Sequence, residues 1–239
     1  MKSFKTLKFN EYVIPKILYV GIGTAGCNVI AHMTNKAIHK NNLIAIDADA
    51  KSLAQIDGVI KILIGSKLLK DAGDEMKLEL EKMSAMENYD AIKSVFEDAD
   101  IIFILSGLGG ETGSEASPII VQISKDTNAL TIPIVTMPFE FEGKQRLLLA
   151  KNALESMKKE NNSIIVFDNQ KYLSVIDKEL TLIDAFKTID VILEDIVNEI
   201  SSKIDNLETM HYKIIDVNYI KATILSYKYI VGNNIQYRK

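Results

Sequence analysis

The sequence is poor in cysteine, in long apolar runs and in excess positive charge, and each shortage excludes a class of protein. Cys27 is the single cysteine in 239 residues, so no disulfide forms within the chain and a reducing compartment is favoured. No stretch approaches the roughly 20 apolar residues that a membrane-spanning helix requires. The net charge of −4 offers no basic face for general nucleic-acid binding. We therefore expect a cytoplasmic protein that neither inserts into a membrane nor binds nucleic acid.

The pattern of apolar residues predicts alternating strands and helices. The composition, 47% hydrophobic and 25% charged with four prolines, is that of an ordinary globular chain, and the length suits one α/β domain with additions. Strands are predicted at 16–21, 43–47, 60–65, 101–105, 132–136 and 164–167, and helices at 27–33, 71–98, 119–125, 144–159, 180–204 and 220–227. This order predicts an α/β fold with a Rossmann-like, mainly parallel sheet covered by helices on both faces. The helix at 180–204 is long enough to be a central element of the fold.

A first glycine loop connects the first strand to the first helix. Residues 21–26 read G-x-G-x-x-G, and a helix that begins in such a turn directs backbone N–H groups at an anion. Asp47 follows 21 positions after Gly26, at the end of the second strand. Taken alone, these features are typical of a dinucleotide-binding fingerprint, so an NAD-binding protein remains an alternative. Glycines that serve only a tight turn are another.

A second glycine loop, SGLGGETGSEASP at 106–118, follows the buried strand at 101–105. Pro118 suits the first turn of a helix, so we expect a phosphate-binding loop followed by a helix over 119–125. Two glycine loops in one domain indicate a single nucleotide held from two sides.

The order of the motifs resembles the GTPase domain of the FtsZ/tubulin family, from about residue 16 to residue 232. The first loop is similar to the family's GxGxxGxN, and GGETGSE at 109–115 resembles its GGGTGTG or GGGTGSG. The stretch TMPFEFEGKQR at 136–146 matches T-x-P-F-x-F-E-G-x-x-R at all seven fixed positions. LIDAF at 182–186 resembles the start of the family's central helix, with Asp190 one turn further on.

The resemblance implies a domain organisation. Residues 1–15 are an N-terminal extension, and 16–205 form the nucleotide-binding domain, including the long helix at 180–204. Residues 206–239 comprise a degenerate catalytic-loop segment and a terminal helix, and the family's second domain is expected to be absent.

The resemblance also implies a guanine-nucleotide site for GTP or GDP, with Mg²⁺ as a candidate companion ion and no metal site made by the protein alone. A carboxylate at 190 accepts hydrogen bonds from guanine N1–H and the 2-amino group. Considered without the family, Glu142 with Arg146 is an ordinary i,i+4 surface pair and Phe186 an ordinary core residue. The implied nucleotide-binding residues are Gly21, Gly23, Thr24, Ala25, Gly26, Cys27, Asn28, Gly109, Gly110, Glu111, Thr112, Gly113, Glu142, Arg146, Asn169, Phe186 and Asp190.

Several positions depart from the family pattern. Glu111 and Glu115 replace glycines of the second loop, and a carboxylate about 4 Å from a phosphate charge repels it by roughly 1 kcal/mol in water. We therefore expect weaker triphosphate binding if Glu111 points inward. Residues 66–74 retain only Gly73 where the family is glycine-rich, which places recognition of the γ-phosphate in doubt.

The family's catalytic segment, N-x-D-x-x-D, acts on the nucleotide of a neighbouring subunit, and here its positions hold Ile214, Asp216 and Tyr219. A phenol with a pKa near 10 cannot replace a carboxylate that positions the attacking water. Only Asp216 remains as a catalytic candidate, and hydrolysis is expected to be slow or absent.

These features predict a divergent FtsZ-like guanine-nucleotide-binding protein of the cell-division cytoskeleton. We expect it to modulate or cap filament assembly, through self-association or through a complete FtsZ-like subunit. Three alternatives stay open: a self-assembling GTPase, the NAD-binding protein, and a nucleotide-free interaction module in which Glu111 occupies the phosphate space.

Overall fold

A computed structural model describes residues 7–8, 15–34, 42–65, 86–161, 163–173, 181–209, 214–215 and 235–236. The strands are β1 Leu7–Lys8, β2 Ile17–Ile22, β3 Leu43–Asp47, β4 Ile60–Leu63, β5 Ile101–Gly107, β6 Leu130–Met137, β7 Ile165–Asp168, β8 Ile214–Ile215 and β9 Ile235–Gln236. The helices are α1 Gly23–Thr34, α2 Ala50–Ala54, α3 Tyr89–Phe96, α4 Glu111–Lys125, α5 Lys144–Glu160, α6 Asn169–Leu173 and α7 Leu182–Thr209, with a 3₁₀ turn at Glu140–Glu142.

Seven strands form the main sheet in the order β4-β3-β2-β5-β6-β7-β9. The six from β4 to β7 are parallel, and β9 joins β7 antiparallel. β1 and β8 pair separately, also antiparallel. The predicted α/β fold with a mainly parallel sheet is confirmed. The central strands are continuous apolar runs because helices cover both of their faces.

Alternate residues of each central strand pack against different helix layers. Tyr19 of β2 belongs to the cluster that includes α1 and α7, whereas its neighbours Leu18 and Val20 pack with α3, α4 and α5. The Tyr19 ring stacks on Phe103 with centroids 5.6 Å apart, and its hydroxyl donates to Ser201 Oγ on α7 at 3.0 Å. This hydrogen bond fixes the long helix across the sheet.

Helix α4 begins at Glu111, so the predicted start at 119 is wrong by eight residues. Gly, Ser and Thr are typical of turns, but here the small residues let the helix approach β5. A Cβ at Gly113 would collide with the Gly107 carbonyl oxygen. Pro118 therefore lies in the helix interior.

Helix α7 extends to Thr209, past the predicted end at 204 and past the proposed domain boundary at 206. The predicted helix at 220–227, the segment 66–74 and residues 216 and 219 lie outside the described residues. No helix in the described part of the chain is long and apolar enough to cross a membrane.

Gly21 should be a position where a single methyl group disrupts the fold. A Cβ there would collide with the Gly26 carbonyl and lie 2.6 Å from Ile30 Cγ1, so we expect Gly21→Ala to lower the free energy of unfolding by about 3 kcal/mol. Gly110→Ala is the matched control, because nothing lies within 4 Å of a Cβ at that position. Urea unfolding of both variants measures the difference, and equal stabilities would contradict the packing described here.

Candidate functional site

A cavity of about 1020 Å³ lies at the carboxyl ends of the parallel strands. β2 and β5 are neighbours, but the chain continues from them towards opposite edges of the sheet. Such a switch point leaves a crevice in which α/β proteins bind ligands. The cavity is lined by residues that follow β2, β3, β5, β6 and β7 and by residues of α7.

Two helix N-termini converge at this switch point. Gly23, the first residue of α1, has φ +67°, and a Cβ on it would lie 3.0 Å from the backbone nitrogen of Gly113 in the first turn of α4. Both the positive φ and the lack of space require glycine. The first N–H groups of each helix have no intrahelical acceptor and carry partial positive charge. The arrangement is therefore suited to binding an anion.

The closeness of these helices depends on further glycines. A Cβ at Gly26 would collide with the Leu105 carbonyl oxygen, and one at Gly107 would lie 2.6 Å from Ala25 Cβ. α1 and α4 are thereby held against β5, which lies beneath both helix N-termini.

Glu111 is the first residue of α4, after the N-cap Gly110. Its side chain is exposed and lines the cavity. A carboxylate in the first turn stabilises a helix by roughly 0.3–1 kcal/mol, while its charge opposes a bound phosphate.

Glu142 and Arg146 form the ion pair that their spacing predicts, and both line the cavity. Glu142 Oε1 accepts from the Phe139 backbone N–H at 2.8 Å, and Oε2 accepts from Arg146 Nη1 at 2.9 Å. The Glu142 side chain is 14% exposed and that of Arg146 is 57% exposed. The guanidinium therefore keeps donors available at the cavity rim.

Phe186, near the start of α7, lines the cavity and belongs to a cluster of three aromatic rings. Phe139 is fully buried, while Phe141 stacks on it with centroids 4.8 Å apart and Phe186 meets it edge-on at 5.1 Å. Phe186 is 39% exposed and lines the cavity. It is therefore not an ordinary core residue, and part of its ring is available to a ligand.

Asn169 and Asp190 bring unsatisfied polar groups to the same region. Asn169 is 4% exposed, and its Oδ1 has no hydrogen-bond partner among the described residues. Burial raises the pKa of the Asp190 carboxyl to about 7. A ligand with N–H donors would satisfy both groups.

Asp47 and Asp49 line the cavity where β3 ends, and the predicted site did not include them. Asp49 caps α2 by accepting from Lys51 N–H at 2.9 Å, and that hydrogen bond is the largest of the causes that lower its pKa. Asp47 is 2% exposed, and burial raises the pKa of its carboxyl. The position of both residues at a strand end, next to the glycine loops, was the signal that could have identified them.

Fifteen of the predicted nucleotide-binding residues line the cavity, and Gly21 and Cys27 do not. Gly21 packs against Gly26 and Ile30. The Cys27 thiol is buried and donates to the carbonyl oxygens of Gly21 and Ile46, both at 3.7 Å; burial raises its pKa to about 12. Both residues pack under the first glycine loop and do not line the cavity. Asp216 lies outside the described residues.

Other lining residues were also absent from the predicted set. They are Ala48, Ser106, Gly107, Leu108, Thr136, Pro138, Gln145, Leu149, Ile189 and Leu193. Among the described residues, no group of three or more histidine, cysteine, aspartate or glutamate side chains is placed to hold a metal ion.

Several known proteins are similar to this chain. The sequence model of the Tubulin/FtsZ family, GTPase domain, matches residues 16–177. The chain is 36% identical over 219 residues to the cell division protein FtsZ of Buchnera aphidicola subsp. Baizongia pistaciae, covering 92% of this chain and 56% of that protein. FtsZ of Aquifex aeolicus is 36% identical over 193 residues, which are 80% of this chain and 53% of the relative.

Among solved structures, the empty FtsZ dimer of M. jannaschii superimposes with a TM-score of 0.73 at 34% identity, over 81% of this chain and 56% of that chain. The chain thus spans about half the length of the relatives it matches.

The half-buried carboxyl of Asp190 predicts a pH-dependent stability. The pKa of about 7 in the fold lies above the ordinary value near 3.9 of an unfolded chain, so the unfolded chain loses the proton first and stability falls as pH rises from about 4 to 7. Asp190→Asn has no such charge. The Tm of this variant should equal the wild-type Tm near pH 4. At pH 8 it should be higher, by a difference that corresponds to about 2 kcal/mol in the free energy of unfolding after allowance for the partial exposure of Asp190.

Asp195→Asn is the matched control for this prediction, because Asp195 lies on the exposed part of the same helix and its replacement removes no buried charge. Thermal unfolding between pH 4 and 8 decides the matter. A constant difference between Asp190→Asn and the wild type would contradict the assignment of a buried, neutral carboxyl.

Proposed function

The chain belongs to the Tubulin/FtsZ family, whose GTPase domain its residues 16–177 match, and on this premise we propose that it binds guanine nucleotides in the cavity at the strand ends. The phosphates lie at the N-termini of α1 and α4, and the base lies beside Phe186, Asn169 and Asp190. The cavity volume of about 1020 Å³ is ample for a nucleotide.

The observation that carries this proposal is the half-buried carboxyl of Asp190, which lines the same cavity as Phe186, Asn169 and the two glycine loops. An ionised carboxylate offers only acceptors. Guanine presents two adjacent donors, N1–H and the 2-amino group, and adenine presents no such pair. Asn169 Oδ1, also without a partner in the described part of the chain, adds a polar group of the kind that fixes the orientation of a base.

The alternatives to guanine nucleotide receive less support. The dinucleotide-binding alternative depends on the first glycine loop and Asp47 alone, whereas the family model matches residues 16–177, which include both glycine loops. A nucleotide-free module with Glu111 in the phosphate space leaves most of a cavity of about 1020 Å³ without an occupant. Neither alternative assigns a role to Asp190.

Mg²⁺ is proposed only as a companion of the triphosphate. Because the described residues provide no cluster of three metal-binding side chains, phosphate oxygens and water would have to complete its coordination. The ion would offset the negative charge that Glu111 adds near the phosphates.

We also propose that the protein acts in the cell-division cytoskeleton and modulates the assembly of a complete FtsZ-like partner, with slow or no hydrolysis of GTP. The relatives named above are cell division proteins. The support for slow hydrolysis is Tyr219, at the position where the family pattern has its second acid.

Base recognition through Asp190 predicts a change of specificity. We expect the wild-type protein to bind GDP and GTP, and Asp190→Asn to lose at least about tenfold in affinity for both, because the amide N–H₂ faces the donors of guanine. Xanthine carries an oxygen in place of the 2-amino group, so the same variant should gain affinity for xanthosine diphosphate. Calorimetric titration measures all three ligands.

Asp195→Asn is again the control and should bind GDP as the wild type does. If Asp190→Asn retains full GDP affinity, or if the wild type binds ATP or NAD in preference to GDP, the proposed function is wrong.

The proposed slow hydrolysis predicts a gain of activity. If the phenol of Tyr219 is the cause, Tyr219→Asp should raise the rate of phosphate release from GTP by about tenfold or more at high protein concentration, since a carboxylate can position the attacking water. Tyr219→Phe removes only the hydroxyl and should gain nothing. Rapid GTP turnover by the wild type would contradict the proposal and indicate an active GTPase.

A further inference from the structure

Asp47 places a buried carboxyl oxygen without a partner at the phosphate end of the cavity. Oδ1 accepts from the backbone N–H groups of Ala48 at 2.7 Å and Asp49 at 3.3 Å. Oδ2 makes no hydrogen bond among the described residues, although the residue is only 2% exposed. The Thr112 hydroxyl of α4 faces this carboxyl without reaching hydrogen-bond geometry. An oxygen in this position requires either a proton or a ligand.

The position of this oxygen conflicts with an ionised state when phosphate is bound. The cavity extends across the ends of β3, β2 and β5, so Asp47 lies beside the helix N-termini that would bind the phosphates. Two negative charges in a partly buried site repel each other strongly, and the repulsion raises the pKa of the carboxyl further. A neutral carboxyl has the opposite effect, because its O–H is a donor.

We propose that Asp47 binds the nucleotide in its protonated form and donates Oδ2–H to an oxygen of the terminal phosphate, so that phosphate binding takes up one proton from solvent. This inference rests on the proposed nucleotide site and adds a residue that determines how the site recognises phosphate. The step is a protonation only: one O–H bond forms at Oδ2, and the proton comes from hydronium or from the acid form of the buffer when the anion enters.

Burial is the largest influence on Asp47 and raises its pKa, which favours the protonated form. The backbone N–H groups of Asp49 and Ala48 and the Thr112 hydroxyl lower this pKa, and the negative charge of Asp49 raises it. The Cys27 thiol of α1 has a pKa of about 12, so it stays neutral over the accessible range. α4 presents Thr112 and the exposed Glu111, and β4 presents Leu63 at the register position of Asp47. None of these neighbours is a cation that would stabilise the carboxylate.

The two ends of the cavity therefore respond to pH in opposite directions. Asp190 must lose its proton to accept from guanine, whereas Asp47 must keep or gain a proton to donate to phosphate. Sulfate reports on the phosphate end alone, because it stays a dianion between about pH 5 and 8. Guanosine, which has no phosphate, reports on the base end.

The test compares the wild type with Asp47→Asn, whose amide is a permanent donor of nearly the same shape. Without divalent cations, wild-type sulfate affinity should fall with rising pH, approaching about tenfold per pH unit above the pKa of Asp47. The sulfate affinity of Asp47→Asn should not show this additional decrease with pH. At pH 8 it should exceed the sulfate affinity of the wild type. For GDP, the ratio of the wild-type affinity to the Asp47→Asn affinity should also fall with rising pH. The ratio is used because protonation of GDP itself affects binding to both proteins equally.

Asp49→Asn is the matched control in the same loop. Because the hydrogen bonds that it accepts lower the pKa of Asp49, this residue stays ionised. Its replacement removes a charge near Asp47 and can displace the pH at which sulfate affinity begins to fall, but the decrease with pH should remain. Circular dichroism establishes that each variant is folded before titration.

Equal pH slopes for the wild type and Asp47→Asn, with either sulfate or GDP, would overturn the inference while leaving guanine-nucleotide binding intact. It would also be overturned if the wild type binds these anions only with Mg²⁺ and Asp47→Asn abolishes that dependence, because the carboxylate would then serve a cation. Proton-linked sulfate binding without GDP or guanosine binding would support the inference and refute the proposed function. Failure to bind any of the three would refute both.

Discussion

The close approach of two helix N-termini at the switch point of the sheet is the constraint on which the structure depends. Parallel order places β2 beside β5, and each strand leads into a helix at the same edge. The helices fit only because Gly26 and Gly107 have no side chains where Leu105 O and Ala25 Cβ lie. A side chain at either glycine would push the helices apart, and the convergent N–H groups that form the anion site would be lost.

The fold was predictable to the extent that it depends on local pattern. Continuous apolar runs such as 17–22 and 101–105 indicate strands covered on both faces, and the strand at 43–47 was predicted with its observed bounds. The start of α4 was not predictable in this way, because Gly113, Ser114 and Ser117 have low helix propensity. Tertiary packing decides the conformation there, since only small residues fit against β5.

The candidate site was predictable at motif residues such as Gly23, Thr112 and Arg146, which line the cavity. It was less predictable where the burial of a side chain determines its chemistry. A motif cannot show that Cys27 points away from the cavity, or that Asp47 is buried with one oxygen unsatisfied. The ionisation of Asp190 likewise depends on desolvation by residues distant in sequence. The protonation state of the carboxyl groups at the two ends of the cavity is the property most relevant to function. It depends on burial, which only the structure shows.

The proposed site is one cavity that binds a guanine nucleotide with its phosphates between α1 and α4 and its base beside α7. A crystal structure of the complex with GDP is the most direct test. We expect phosphate oxygens within hydrogen-bond distance of the N–H groups of residues 24–26 and 111–113, and Asp190 Oδ atoms accepting from guanine N1–H and the 2-amino group. A nucleotide bound elsewhere, or one whose base turns away from Asp190, would refute the proposed site.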